Sequence, residues 1–264
     1  MFRFNRSTVL GPGAAIALFS CAFVTNASDT TTLGHSINTA RPSFSSPATT
    51  LEPGHWQIEG GYQFTSNDDA GVESDDHTLP QVLLRLGVND RVEVNLFWSG
   101  YTDIDSNVGD ADGANDVSVG VSYQLTPDDA QLAMGTFVAL SLPVGSDEFS
   151  SDEPDPSLGV AWSYATNGGA GLFGPFVARS VTGNDERETE FGASIGAAFS
   201  LTDSFGTFVE YFGIFSDTNK TTHNLMGGLT FLVNNDVQLD MYAGGGLNKV
   251  ADDFFIGTGF GWRF

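Results

Sequence analysis

Arg85, Glu93 and Asn95 stand on either side of a three-residue turn at 89–91, which sets Arg85 opposite Asn95 and diagonal to Glu93, within reach of an ion pair. Further charged and polar residues share their parity along other segments: Gln57, Glu59, Gln63, Gln124, Arg179, Glu210, Asn224, Gln238, Asp240 and Arg263. Two chemistries fit such a set. Paired charges can fill a narrow interior and hold its shape. Alternatively, Arg85, Arg179 and Arg263 can face Glu59, Glu93, Glu210 and Asp240 across a passage, where a transverse field would select solutes.

Two other groups of residues qualify for chemistry. In "DSNVGDADGAND", Asp110, Asp112, Asn115 and Asp116 around Gly113 supply hard oxygen donors that resemble part of a calcium loop, although the full ligand spacing and closing glutamate are missing. Ca2+ at such loops is the one cofactor that the sequence brings into view. His223 falls on the apolar parity near a loop, but no serine or carboxylate on the same face of neighbouring segments completes a nucleophile, base and orienting group. An enzyme is therefore not expected.

The elements that must position these residues are strands. From residue 54 onward apolar residues alternate with small or polar ones over twelve segments, with no helical period. In "RVEVNLFWSGYT" the apolar parity is Val92, Val94, Leu96 and Trp98; in "NDVSVGVSYQL" it is Val117, Val119, Val121, Tyr123 and Leu125. Opposite them stand Gly, Ala, Ser and scattered charges, the signature of a wall with lipid on one side and an aqueous lumen on the other. Segments of about ten residues suit tilted strands that cross a bilayer. The expected fold is all-β: a closed antiparallel transmembrane β-barrel of about twelve strands over residues 54–264.

The connections agree. "SNDDAGVESDDH", "DIDSNVGDADGAND", "SDEFSSDEPDP", "GNDERE", "SDTNK" and "NKVADD" follow odd-numbered segments, whereas "NDR", "TPDD", "TNGGAG", "TDS" and "NND" follow even ones. Long outer loops alternating with short periplasmic turns, and an even strand count, place both termini in the periplasm. The final segment, "FFIGTGFGWRF", puts Phe254, Ile256, Phe260, Trp262 and Phe264 on one face and Gly257, Gly259 and Gly261 on the other. Its last aromatics, Phe260, Trp262 and Phe264, resemble the assembly signal read by the barrel assembly machinery of Gram-negative outer membranes.

The stretch "ARPSFSSPATTLEPGHWQIEGGYQFT" resembles the opening of the outer-membrane transporter family named for the meta-pathway of phenol degradation, and "NDVSVGVSYQL" and "VALSLPVGS" resemble its later blocks. The likeness covers most of residues 40–264. It implies a transporter or channel for passive uptake of small molecules, aromatic or apolar compounds among them, and it carries over no agreed binding residues. The alternative is a non-conducting barrel that binds partners or cations through its acidic outer loops.

Composition bounds the rest. Arg3 and Arg6 before "VLGPGAAIALFSCAFV" and the exit Thr25-Asn26-Ala27 read as a signal peptide over residues 1–27. Cys21, the single cysteine, lies within it, so the mature chain is expected to have no disulfide. The formal charge of -23 makes nucleic acid a poor partner. The expected partners are outer-membrane lipid, the assembly machinery and a small solute, in the outer membrane of a Gram-negative bacterium. Residues 28–53, rich in Ser, Thr and Pro, are either an extended periplasmic segment or a plug in the lumen.

Overall fold

A computed structural model describes residues 36–69, 71–166, 169–183, 186–216 and 221–264. The signal-peptide assignment and Cys21 lie outside the described residues. Fourteen strands follow in chain order: β1 (Trp56–Asp69), β2 (Val72–Asn89), β3 (Val92–Trp98), β4 (Tyr101–Ser106), β5 (Ala111–Ala114), β6 (Val117–Gln124), β7 (Leu132–Leu142), β8 (Asp155–Ala165), β9 (Ala170–Gly183), β10 (Glu186–Ser200), β11 (Phe205–Ser216), β12 (Thr222–Asn234), β13 (Val237–Gly246) and β14 (Phe254–Arg263). Each pairs antiparallel with its neighbours, and β1 pairs with both β14 and β2, which closes the sheet.

The ring has twelve members, because β4 and β5 carry β3 and β6 outward past a break at Ser99–Gly100 and Asn115–Asp116. Gly100, at φ 98°, makes that break: it adopts a backbone conformation that side chains resist, and a Cβ there would stand 2.5 Å from the Pro80 carbonyl oxygen. The seam between first and last strands includes the chain end, where Trp56 and Phe264 exchange backbone hydrogen bonds of 2.9 and 2.8 Å. Closure matters in hydrocarbon, where an open edge would leave each backbone group unpaired at a cost of several kcal/mol.

The apolar parity points outward. Val94, Leu96, Val119, Val121, Tyr123, Leu158, Phe254, Ile256, Phe260, Trp262 and Phe264 are all exposed, while their alternates Glu93, Asn95 and Gln124 are buried inside. So continuous an apolar belt would be a liability in water and is the expected surface in lipid. The molecule is thus a transmembrane barrel of the outer-membrane type.

Two expected outer loops are in fact strand. β1 and β2 continue through most of "SNDDAGVESDDH", still paired at Asp69 and Val72, and β4 and β5 form a hairpin within "DIDSNVGDADGAND". With 18 residues, β2 exceeds the roughly ten that cross a bilayer, so these acidic hairpins stand beyond the membrane. Acids crowd both hairpins, and the one buried row on β4, Thr102 and Ile104, is too short to set up a period-two apolar alternation, so that signal does not announce them.

The lumen is not polar throughout. Phe173, Phe208, Tyr242 and Phe255 point inward with Met226 and Ala198 and form a buried cluster, with Phe212 against it. Each of the four rings lies over a glycine directly across the ladder: Phe173 over Gly196, Phe208 over Gly228, Tyr242 over Gly257 and Phe255 over Gly244. Gly196→Val would drive a side chain into the Phe173 ring. Such overpacking is expected to destabilise the barrel by about 1–3 kcal/mol, read as a lower urea midpoint of the folded protein; an unchanged midpoint would show that the ring is free to move.

Candidate functional site: a filled lumen

Residues 36–51 run through the interior as coil. Ile37, Thr39, Ala40, Phe44, Ser45, Ala48 and Leu51 are buried there, and the Phe44 ring stacks on Phe212 at 4.5 Å between centroids. A coil inside a barrel brings backbone N–H groups that no ladder satisfies, and each buried unpaired group is costly. The wall answers them with side-chain oxygens. Glu59 accepts from the N–H groups of Ala40 and Arg41 at 2.9 and 3.0 Å. Glu210 accepts from Phe44 N–H at 2.8 Å, Glu93 from Leu51 N–H at 2.9 Å, and Gln124 from Thr50 N–H at 2.9 Å. Side chains add to this grip: the hydroxyls of Ser45 and Ser194 both donate to Glu210, at 2.8 and 2.6 Å, and lie 2.9 Å apart.

Arg85 occupies the centre of this network. Its Nε and Nη2 donate to the two oxygens of Glu93 at 2.8 and 2.9 Å, and its Nη1 reaches Glu59 at 3.3 Å and the Asn38 carbonyl oxygen at 2.7 Å. Strand register places Arg85 directly across from Asn95, although the connection is a two-residue turn at 90–91 with a bulge between Gly87 and Asn89 in place of the expected three-residue turn. Asn95 itself bonds to Ser122 rather than to a charge. All three ionised groups are almost wholly enclosed, with side-chain exposures of 1–3%.

The remaining lumen candidates separate. Glu210 and Asp240 meet the coil. Arg179 pairs with its ladder neighbour Glu190 nearer the outer opening, and Arg263 pairs with Asp236 at the periplasmic turn at 2.7 Å. Of the two chemistries, the field of Arg85, Arg179 and Arg263 facing acids across an open passage is not formed. Neighbouring strands supply each arginine with a nearer acid, and the space between the walls holds protein.

Nor do Asp110, Asp112, Asn115 and Asp116 converge. Asp110 accepts from Ser106 N–H, Asp112 from the Tyr101 hydroxyl, Asp116 from the N–H groups of Gly145 and Ser151, and Asn115 donates to Gly100 and Thr102. Asp112 lies on β5, Asp110 before it and Asn115 and Asp116 beyond its other end, so the four are spread along an extended segment where a calcium loop would curl them around one point. Among the described residues no group of three or more His, Cys, Asp or Glu is placed to hold a metal ion.

Outside the membrane, the turn between β13 and β14 carries Asp252, whose pKa is pushed up to about 6 by burial and then by the carboxylates of Asp76 and Asp253. The folded state thus binds this proton more tightly than the unfolded chain does. Stability contributed by Asp252 is present below about pH 4 and is lost as pH rises to about 6. Asp252→Asn is expected to flatten that window in urea titrations; a window unchanged by the substitution would assign it elsewhere.

Sequence reasoning missed Arg41, Gln81, Tyr242, Ser45 and Ser194, together with the inward aromatics. Arg41 donates to Gln81 Oε1 at 2.8 Å and to Asp240 Oδ1 at 3.3 Å. The available signal was the recurrence of aromatic residues on the glycine parity, as in the Phe254-Phe255 doublet, where one ring must face inward.

Among solved structures, an outer membrane channel from Pseudomonas putida F1 superposes with a TM-score of 0.67 at 15% identity, over 82% of this chain and 98% of that one. The NanC porin superposes with a TM-score of 0.52 at 12% identity, over 79% and 100%. The β domain of the Bordetella autotransporter BrkA does so with 0.51 at 11%, over 79% and 98%. At such identities these likenesses establish the fold, which channels and translocator domains share. No curated protein matches the sequence. A family profile described as "Putative MetA-pathway of phenol degradation" matches residues 39–264, which takes in both the wall and the coil inside it, and the chain belongs to that family.

Proposed function

We propose that this protein is an outer-membrane channel for passive uptake of small molecules, aromatic compounds among them, and that residues 36–51 are its plug. The observation that carries this reading is how the coil is held. The wall grips it through side-chain hydrogen bonds to its backbone N–H groups, its Asn38 carbonyl and its polar side chains, with no strand pairing between the two. Every ladder of the ring lies within residues 56–264, so the coil can leave without opening the barrel. The inward rings of Phe173, Phe208, Phe212 and Phe255 offer a surface suited to aromatic solutes. His223, whose ring lies against the Tyr211 hydroxyl at 2.6 Å, is read as part of the wall. Phe260, Trp262 and Phe264, exposed beside the closing seam, serve as the signal for the assembly machinery.

Single-channel conductance in planar bilayers tests the reading, on the mature protein with and without residues 28–53. Stable current steps that grow after truncation are expected. Silence from both proteins, with folding established by heat-modifiable gel mobility, would contradict it and favour a non-conducting barrel.

A further inference from the structure

One row across four strands has an unusual composition. Gln81 of β2, Gly61 of β1, Gly259 of β14 and Asp240 of β13 are direct ladder partners in sequence across the wall. The two central glycines leave a trough, and a Cβ on either would overlap the guanidinium of Arg41, which lies in it. One end of the trough is the Gln81 amide oxygen and the other is the Asp240 carboxylate, and the guanidinium bonds to both. The Tyr242 ring lies 5.7 Å from the guanidinium carbon, within range of a cation–π contact. Asp240 has no side-chain exposure, and its Oδ2 is buried with no hydrogen-bond partner.

All four members of the row belong to the wall, whereas the cation belongs to the coil. We infer that this trough is a cation-binding site of the channel itself, that Arg41 is its tethered occupant while the plug is seated, and that it receives the ammonium or guanidinium group of an organic cation once the plug leaves. The aromatic cluster continues from Tyr242 to Phe255, at 6.4 Å between centroids, so a solute with a cationic head and an aromatic body matches the lining. This deepens the channel reading by naming its substrate class, and it rests on that reading for its physiological meaning. The solute competes with Arg41 for Asp240, so its arrival favours release of the plug by simple mass action.

Isothermal titration of benzamidinium into the full-length mature Arg41→Ala protein, folded in detergent, tests the site directly, with benzoate as the control for charge. Arg41→Gln, neutral but able to hydrogen-bond, is the second variant should the first fail to fold. Saturable benzamidinium binding is expected, at least about tenfold tighter than to the wild type and to Arg41→Ala/Asp240→Asn, in line with the loss of one charge-assisted bond. Benzoate should not bind. Equal binding to wild type and variant, indifference to Asp240→Asn, or equal binding of benzoate would each overturn the assignment. Because titration needs no current, a silent bilayer would sink the passage and leave this result standing, whereas a conducting barrel without binding would sink only the cation site.

Discussion

Arg85→Met should lower the stability of the barrel by about 3–5 kcal/mol, the usual consequence of removing one partner from an enclosed ion-pair network. Glu59 and Glu93 would then lie within the lumen with no cation between them, and the Asn38 carbonyl oxygen would lose its Arg85 donor. The readout is the urea midpoint of the protein in lipid vesicles, followed by tryptophan fluorescence. Arg85→Met/Glu59→Gln/Glu93→Gln should recover part of the loss, because the amides carry no charge and each keeps one acceptor oxygen, for Leu51 N–H at position 93 and for one of the Ala40 and Arg41 N–H groups at position 59. A single variant as stable as wild type would show that water reaches these carboxylates and that the network does not brace the wall.

The second large effect concerns the seat of the plug. Ala48 packs with Ala133 and Ala161, and a Cβ on Gly135 would stand 2.7 Å from the Ala48 carbonyl oxygen. That oxygen is main chain and cannot rotate away as a side chain would. Gly135→Leu therefore sets about 1–3 kcal/mol of overpacking against the seated coil, which raises the released population roughly tenfold to a hundredfold. Limited proteolysis of the folded protein, probed at residues 36–51, should show a rise of that order while the barrel remains heat-modifiable. Unchanged cleavage would mean that the wall yields in place of the coil.

The barrel was legible because a wall between lipid and lumen imposes a period of two on every crossing strand, and because closure fixes the parity of loop lengths. The Arg85–Glu93 pair was legible for a local reason: a short turn determines which side chains meet, and the bulge at Val88 offsets the one-residue difference between the expected turn and the observed one. The plug was not. Residues 36–51 carry no period, and their partners Glu59, Glu93, Gln124 and Glu210 come from four separate strands, an encounter that no local spacing encodes. The wall acids could be read as paired charges or as one side of a field, and neither reading foresaw that most of them cap a backbone. The aromatic half of the lumen was hidden similarly, since Phe208 and Tyr242 face inward only where Gly228 and Gly257 stand across the ladder.

The central claim, that release of residues 36–51 opens the passage, is tested most directly by tying that segment to the wall. The hydroxyl oxygens of Ser45 and Ser194 are 2.9 Å apart, and the expected mature chain contains no competing thiol, so Ser45→Cys/Ser194→Cys should form a disulfide that locks the plug in place. Single-channel recording of the oxidised protein should show no steps, and addition of reductant to the same bilayer should bring them to the wild-type level. Equal conductance before and after reduction, with the disulfide verified by mass spectrometry, would contradict the account.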